Sequence, residues 1–449
     1  MLASLPEPVI VVILAILGAL IGLFVNWAIY SWAMFGRRPV SPWMKLDETE
    51  IGLFGAAENF RRIPVLGWWA ARKIEFGEEV QGKFWVRPML IELAWIVGLP
   101  LVYFWFSGGG LLDAKPGVVA KIPSWDVFAE TWFWSYIILL ALLFIATFID
   151  FDEKMIPDQI TVPGVLIGLT IAATFPWSRL PELGATAAGP IVSPITFASP
   201  HEVPPVHWCF GGWGLFTVIA IFAVWVLALL PRISPFHLGL GAGIKYTIGS
   251  IVRPRRKNNC EIRIEPRGPF GITKVLAAIL LIGVPLLTAG WSFLPQENWT
   301  SLFGAMVGLA VSGGLIWAIR IVGGLMMGQQ AMGFGDVTLM AMVGTFIGWQ
   351  ASLAAFVYGI MIAMLAVIVM VIFIRNSHIA FGPYLSMGTV AAVYNWPIVW
   401  ESARLQVFFF GANLLFVLVA SLIGMVILLP IVRWLKGLML GEESGDAYG

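Results

Sequence analysis

Cysteine is almost absent. Cys209 and Cys260 are the only two in 449 residues and fall in different loops, so neither a disulfide framework nor a zinc centre can be drawn from them. Charge is scarce as well: Asp, Glu, Lys and Arg make up 12% of the chain against 59% hydrophobic residues, which excludes an ordinary soluble domain. The net charge of +1 points to no partner, and no nucleic acid is expected. A basic start is missing too. Met1–Pro8 carries Glu7 but no lysine or arginine, so the first apolar run reads as a retained helix, not a secretory signal. No internal repeat suggests inverted-repeat transport machinery.

What remains is a series of long apolar runs, the mark of an all-α, polytopic membrane bundle with about eleven spans. The spans read as Val9–Ser31, Met89–Ser107, Trp132–Asp150, Gln159–Phe175, Gly212–Leu230, Thr273–Phe293, Leu302–Leu325, Val337–Trp349, Leu353–Ile374, Phe381–Trp396 and Val407–Leu435. Of the 27 Lys and Arg residues, nine lie in 35–88 and nine between Arg232 and Lys274. The positive-inside rule then puts the N-terminus outside and both loops in the cytoplasm. The Pro-rich Leu180–Val206 reads as an irregular outer loop. Arg232–Gly271 reads as a basic cytoplasmic insert with a short strand at Cys260–Glu265. The 22 tryptophans read as interfacial belt and packing residues.

Acids inside spans are costly, about 2.5–3.5 kcal/mol each near a helix centre, and usually carry function. Asp150 closes the third span in FIDFDEKMIPDQIT, and Asp336 follows Gly333-Phe334-Gly335 at the start of the eighth. The topology brings both to one membrane level. Paired carboxyls share a proton, so one can activate a water while the other polarises a carbonyl, with no metal. Gly333 and Gly335 let backbone approach a substrate. The plain alternative is that Asp336 only caps a helix start. Asp158 reads as a helix cap before span four, and Asp152 as a loop acid facing water. Glu92 is a buried acid that needs a partner, Asn26 an interhelical hydrogen-bonding residue, and Arg320 an interfacial one. His201, His207 and Cys209 lack a fourth ligand, and no metal site is expected.

With both aspartates placed, the sequence resembles the prepilin leader peptidases, membrane aspartic proteases of the GxGD type. Five stretches carry the likeness: GALIGLFVNWAIY, RRIPVLGWWAARK with FWVRPMLIEL, IDFDEKMIPDQIT, MGFGD and AFGPYLSMG. The resemblance covers roughly 1–175 and 300–396. It implies catalytic roles for Asp150 and Asp336, with Gly333, Gly335, Asp158, Glu92 and Asn26 binding substrate or supporting the site. It also implies the N-terminal helix of a type IV prepilin or type II secretion pseudopilin as substrate, in a bacterial inner membrane. Cleavage at the cytoplasmic face would remove a short basic leader. Proteolysis would need no cofactor; S-adenosylmethionine would serve a second, methylating activity, for which no residues stand out.

The chain departs from that pattern. Residues 35–88 lack the family's two Cys-x-x-Cys pairs, excluding a thiolate zinc site there. Thr338, Gln329 and Gln330 replace residues that are usually charged. The expected organisation is a first helix (1–34), a cytoplasmic loop (35–88), a core with the first aspartate (89–175), an insertion (176–300), a core with GxGD (301–396) and an added last helix with its tail (397–449). Three rivals stay open: a presenilin-like intramembrane protease, although its Pro-Ala-Leu motif is missing, a proton-coupled transporter, and a non-catalytic assembly scaffold.

Overall fold

A computed structural model describes residues 2–33, 63–71, 85–112, 116–119, 121–122, 124–186, 189–200, 208–229, 269–327, 332–373 and 380–400. The chain is an all-α polytopic membrane protein. Its helices are α1 (Glu7–Ser31), α2 (Leu66–Ala71), α3 (Val86–Ser107), α4 (Trp125–Glu153), α5 (Asp158–Thr174), α6 (Gly212–Ala228), α7 (Pro269–Phe293), α8 (Gln296–Met327), α9 (Phe334–Phe373) and α10 (Gly382–Tyr394). Among the described residues six helices are long and apolar enough to cross a membrane, and α5 and α6 are shorter apolar ones. The expected last span, the basic insert and its strand, and Gln329 and Gln330 lie outside the described residues.

Lipid is as apolar as leucine, so these helices associate through close packing and buried polar contacts rather than by escaping water. Gly18 and Gly22 let α1 press onto α3: a β-carbon on Gly18 would lie 2.3 Å from the Trp95 carbonyl oxygen. Gly308 of α8 and Gly344 of α9 meet in the same way, backbone to backbone. Beneath them, α4 is the central post, with Trp132, Phe133, Ile145 and Ile149 fully buried.

Gly348 breaks α9 with φ 80° and ψ 172°. The first limb packs on α8. The second runs back along α10, where Gly359 meets Leu385 and Gly388 meets Ala355. Spans eight and nine are therefore a single helix folded at one glycine, whose positive φ suits a residue without a β-carbon. The break strands carbonyls, and a buried arginine collects them. Arg179 Nη1 donates to Thr345 O at 3.1 Å and Phe346 O at 3.5 Å. Burial pulls the Arg179 guanidinium down to about 10, still protonated at neutral pH.

The irregular loop expected over Leu180–Val206 is in part a two-stranded antiparallel hairpin, β1 (Pro181–Thr186) and β2 (Gly189–Pro194), with Leu183 opposite Val192. Its prolines suggested a loop, but in a lone pair of strands each has a free edge where a missing N–H costs no ladder bond. Indole N–H groups bind this end of the bundle together: Trp396 donates to Pro181 O, Trp349 to Phe197 O and Trp132 to Arg179 O. These tryptophans do more than form a belt.

Candidate active site

The opposite end of the bundle gathers the acids. Asp150 lies on the last turn of α4, which stops at Lys154 in the left-handed region (φ 55°). Asp336 lies on the first turn of α9. Both are buried, at 5% and 7% exposure, which for carboxyl groups requires specific partners. The Gly382 N–H, at the start of α10, donates to Asp150 Oδ2 at 3.1 Å. Asp336 takes the Gly333 N–H, feels the positive charge of Arg320, and lies within electrostatic reach of Asp150.

Ile156, in the short turn between α4 and α5, is the spacer of the site. A β-carbon on Gly335 would stand 2.9 Å from Ile156 Cβ, and one on Gly382 would stand 2.7 Å from Ile156 Cδ1 and 2.5 Å from Asp150 Oδ2. Thus the GxGD turn, the α4–α5 turn and the start of α10 close on one point. The helix-capping reading of Asp336 also holds. As the third residue of α9 it accepts the N–H of the residue before the helix, half of a capping box. One carboxyl both caps a helix and faces a second acid.

Arg320 does not simply reach for the interface. Its Nε donates to Met332 O at 2.9 Å and its guanidinium lies 5.6 Å from the centre of the Phe334 ring, holding the GxGD turn. Thr338 donates to Gly335 O at 3.0 Å, within the same turn.

Other expected residues lie apart. Asp158 is exposed at the first position of α5, where it suits the helix dipole but makes no side-chain capping bond; Pro157 holds the cap position. Asp152 is not a loop acid: it belongs to the last turn of α4 and pairs with Arg87 at 2.7 Å. Glu92 is fully buried and accepts from Asn26 Nδ2 (3.0 Å), Trp68 Nε1 (2.8 Å) and the Val65 N–H (2.6 Å). Asn26 Nδ2 also donates to Pro88 O at 2.9 Å. This network ties α1, α2 and α3 together. Among the described residues no group of three or more His, Cys, Asp or Glu side chains could hold a metal ion. Cys209 is buried, and its carbonyl accepts the Trp299 indole N–H. Gly382 and Ile156 were missed as site residues, although the Phe-Gly-Pro run at Phe381–Pro383 marks where Gly382 stands.

Residues 269–368 match the model of the type IV leader peptidase family. Over that stretch the chain is similar to that family. The match takes in α7, α8 and the GxGD turn. Several curated relatives are named prepilin leader peptidase/N-methyltransferase. Identity is 33% over 120 residues with the Aeromonas hydrophila protein, covering 25% of this chain and 40% of that one. It is 35% over 143 residues with that of Dickeya chrysanthemi (28% and 49%), and 31% over 117 with that of Escherichia coli K12 (24% and 48%). The chain spans less than half the length of each of these relatives. No solved structure matches.

Proposed function

We propose that the protein is a membrane aspartic endopeptidase that removes the leader from a type IV prepilin or type II secretion pseudopilin. The observation that carries this reading is the burial of Asp150 and Asp336 around Ile156, at the convergence of three turns. In the reaction one carboxylate takes a proton from water as the oxygen attacks the scissile carbonyl. The protonated partner donates a hydrogen bond to the developing oxyanion. The tetrahedral intermediate then breaks its C–N bond, and the new amine leaves with the proton that the first carboxylate took from water. The Gly382 N–H fixes one Asp150 oxygen, leaving the other for water.

The substrate's apolar helix reaches the acids from within the bilayer. A groove of about 290 Å³ between α3, α4 and α10 is lined by Leu101, Leu140, Leu143, Thr389 and Val390, among others. Leu143 lies seven residues before Asp150 and Thr389 seven after Gly382, so the groove stops about 10 Å short of the acids along both helices. A membrane helix lying there would present its polar end to the acids already aligned, and alignment supplies part of the catalysis. The acids then face the cytoplasm of a bacterial inner membrane, where a basic leader would emerge. Proteolysis of this kind requires no cofactor. The relatives are also named for N-methyl transfer, for which S-adenosylmethionine is the expected donor; we assign it no residues.

The test is cleavage of a prepilin peptide by purified protein in detergent. Asp150→Asn and Asp336→Asn should each insert normally and lose about 10²–10⁴-fold in rate. Full processing by either variant refutes the paired-acid reaction. Proton-driven solute flux with no peptide cut would replace the protease by a transporter.

A further inference from the structure

The last turn of α4 is electrostatically awkward. Asp150, Asp152 and Glu153 crowd the carboxyl end of a helix, where the dipole is already negative, and the turn contains no basic residue. Beyond Lys154 at the cap, a compensating charge comes from α3. Arg87 Nη1 donates to both carboxylate oxygens of Asp152, at 2.9 and 2.7 Å. Its Nη2 reaches Phe148 O at 3.5 Å, and its guanidinium lies 4.7 Å from the centre of the Phe148 ring.

Phe148 and Asp152 are four positions apart, so they share one face of the helix. Asp150, two positions from each, points to the opposite face, toward Gly382 and Ile156. Arg87 therefore grips the back of the turn whose front presents the acid. Its own base is firm, since α3 is tied at the next residues by Asn26 to Pro88 O and to Glu92. We infer that Arg87 is the positioning residue for Asp150: it sets the rotation and depth of the last turn of α4 from behind, without touching the reacting atoms. This rests on the peptidase reading for its kinetic consequence but not for its geometry.

Two measurements separate the two. In the first, Asp150→Cys and Asp336→Cys are combined in a Cys209→Ser, Cys260→Ser background, and disulfide formation is followed in membranes. The cross-link should form readily with Arg87 present, fall several-fold with Arg87→Ala, and recover in part with Arg87→Lys, which keeps the charge but loses the fork. In the second, prepilin-peptide cleavage by Arg87→Ala should show kcat reduced about 10- to 100-fold with KM within about twofold, the pattern of a misplaced acid. Adding Asp152→Ala to Arg87→Ala should cost little more, because both remove one contact. An unchanged cross-link overturns the inference, whatever happens to cleavage. If Arg87→Ala does not accumulate in membranes, Asp152→Asn decides on the same cross-link, with a smaller expected loss. If the double-cysteine protein cross-links but the unsubstituted protein cuts no peptide, the peptidase is refuted and the positioning role rests on the cross-link alone.

Discussion

A β-carbon on Gly382 would come within 2.5 Å of the carboxylate oxygen that its own N–H holds. Alanine there keeps the donor and displaces the acceptor. Gly382→Ala should therefore leave the melting temperature in detergent near that of the parent and lower kcat on the order of 10²-fold, as a shift of about 1 Å in a reacting group does. A variant with the parent's kcat would show that Asp150 tolerates the move and that the contact is incidental. The same scale shows what could be read from sequence. Asp150 and Asp336 stand out because a carboxyl bordering an apolar run is rare and expensive. Gly382 and Arg87 do not, because their roles exist only when segments 232 and 65 residues apart meet. Asp152 misled for that reason: without Arg87 in view, an acid next to a loop looks solvated.

At the scale of elements, the break in α9 is the feature most dependent on distant residues. Two hydrophobic runs separated by Gln350-Ala351-Ser352 read easily as two spans. Nothing in them announces that Arg179, far back in the chain, closes the exposed carbonyls between them. Removing that guanidinium without replacing its bonds, as in Arg179→Met, should cost about 1–3 kcal/mol for each carbonyl left unpaired. The variant should melt at a clearly lower temperature and yet, where folded, keep its cleavage rate, because Arg179 lies at the end of the bundle away from the acids. Equal melting temperatures would mean the break is stable without its cap. The contact between α1 and α3 makes a second case. Gly18→Leu places side-chain atoms where the Trp95 carbonyl now lies, and overpacking of this kind costs about 1–3 kcal/mol. Here stability and activity should fall together, since α1 holds α3 through Asn26, and α3 holds the turn of Asp150. An unaltered Gly18→Leu protein would show that α1 is loosely attached. The glycine spacing was legible in GALIGLFVNWAIY; its partner helix was not, because small residues mark a contact without naming what they touch.

For the molecule as a whole, the distribution of Lys and Arg between its two ends decides how it lies in the bilayer. Among the described residues the end with the hairpin carries Lys121 and the buried Arg179, while the end with the acid pair carries Arg87, Lys154, Lys274 and Arg320. Basic residues are retained on the cytoplasmic side, so the acid pair should face the cytoplasm and the hairpin the outer compartment. Single cysteines test this in intact cells, in a Cys209→Ser, Cys260→Ser background. Leu183 on β1 and Met155 in the turn after α4 are both exposed, so neither substitution disturbs packing. Leu183→Cys should react with a membrane-impermeant maleimide added outside, and Met155→Cys should react only after the inner membrane is opened. The reverse pattern would place the acids outside, away from any leader held in the cytoplasm, and the prepilin reading would lose its substrate even if the two carboxyls proved to be a working pair.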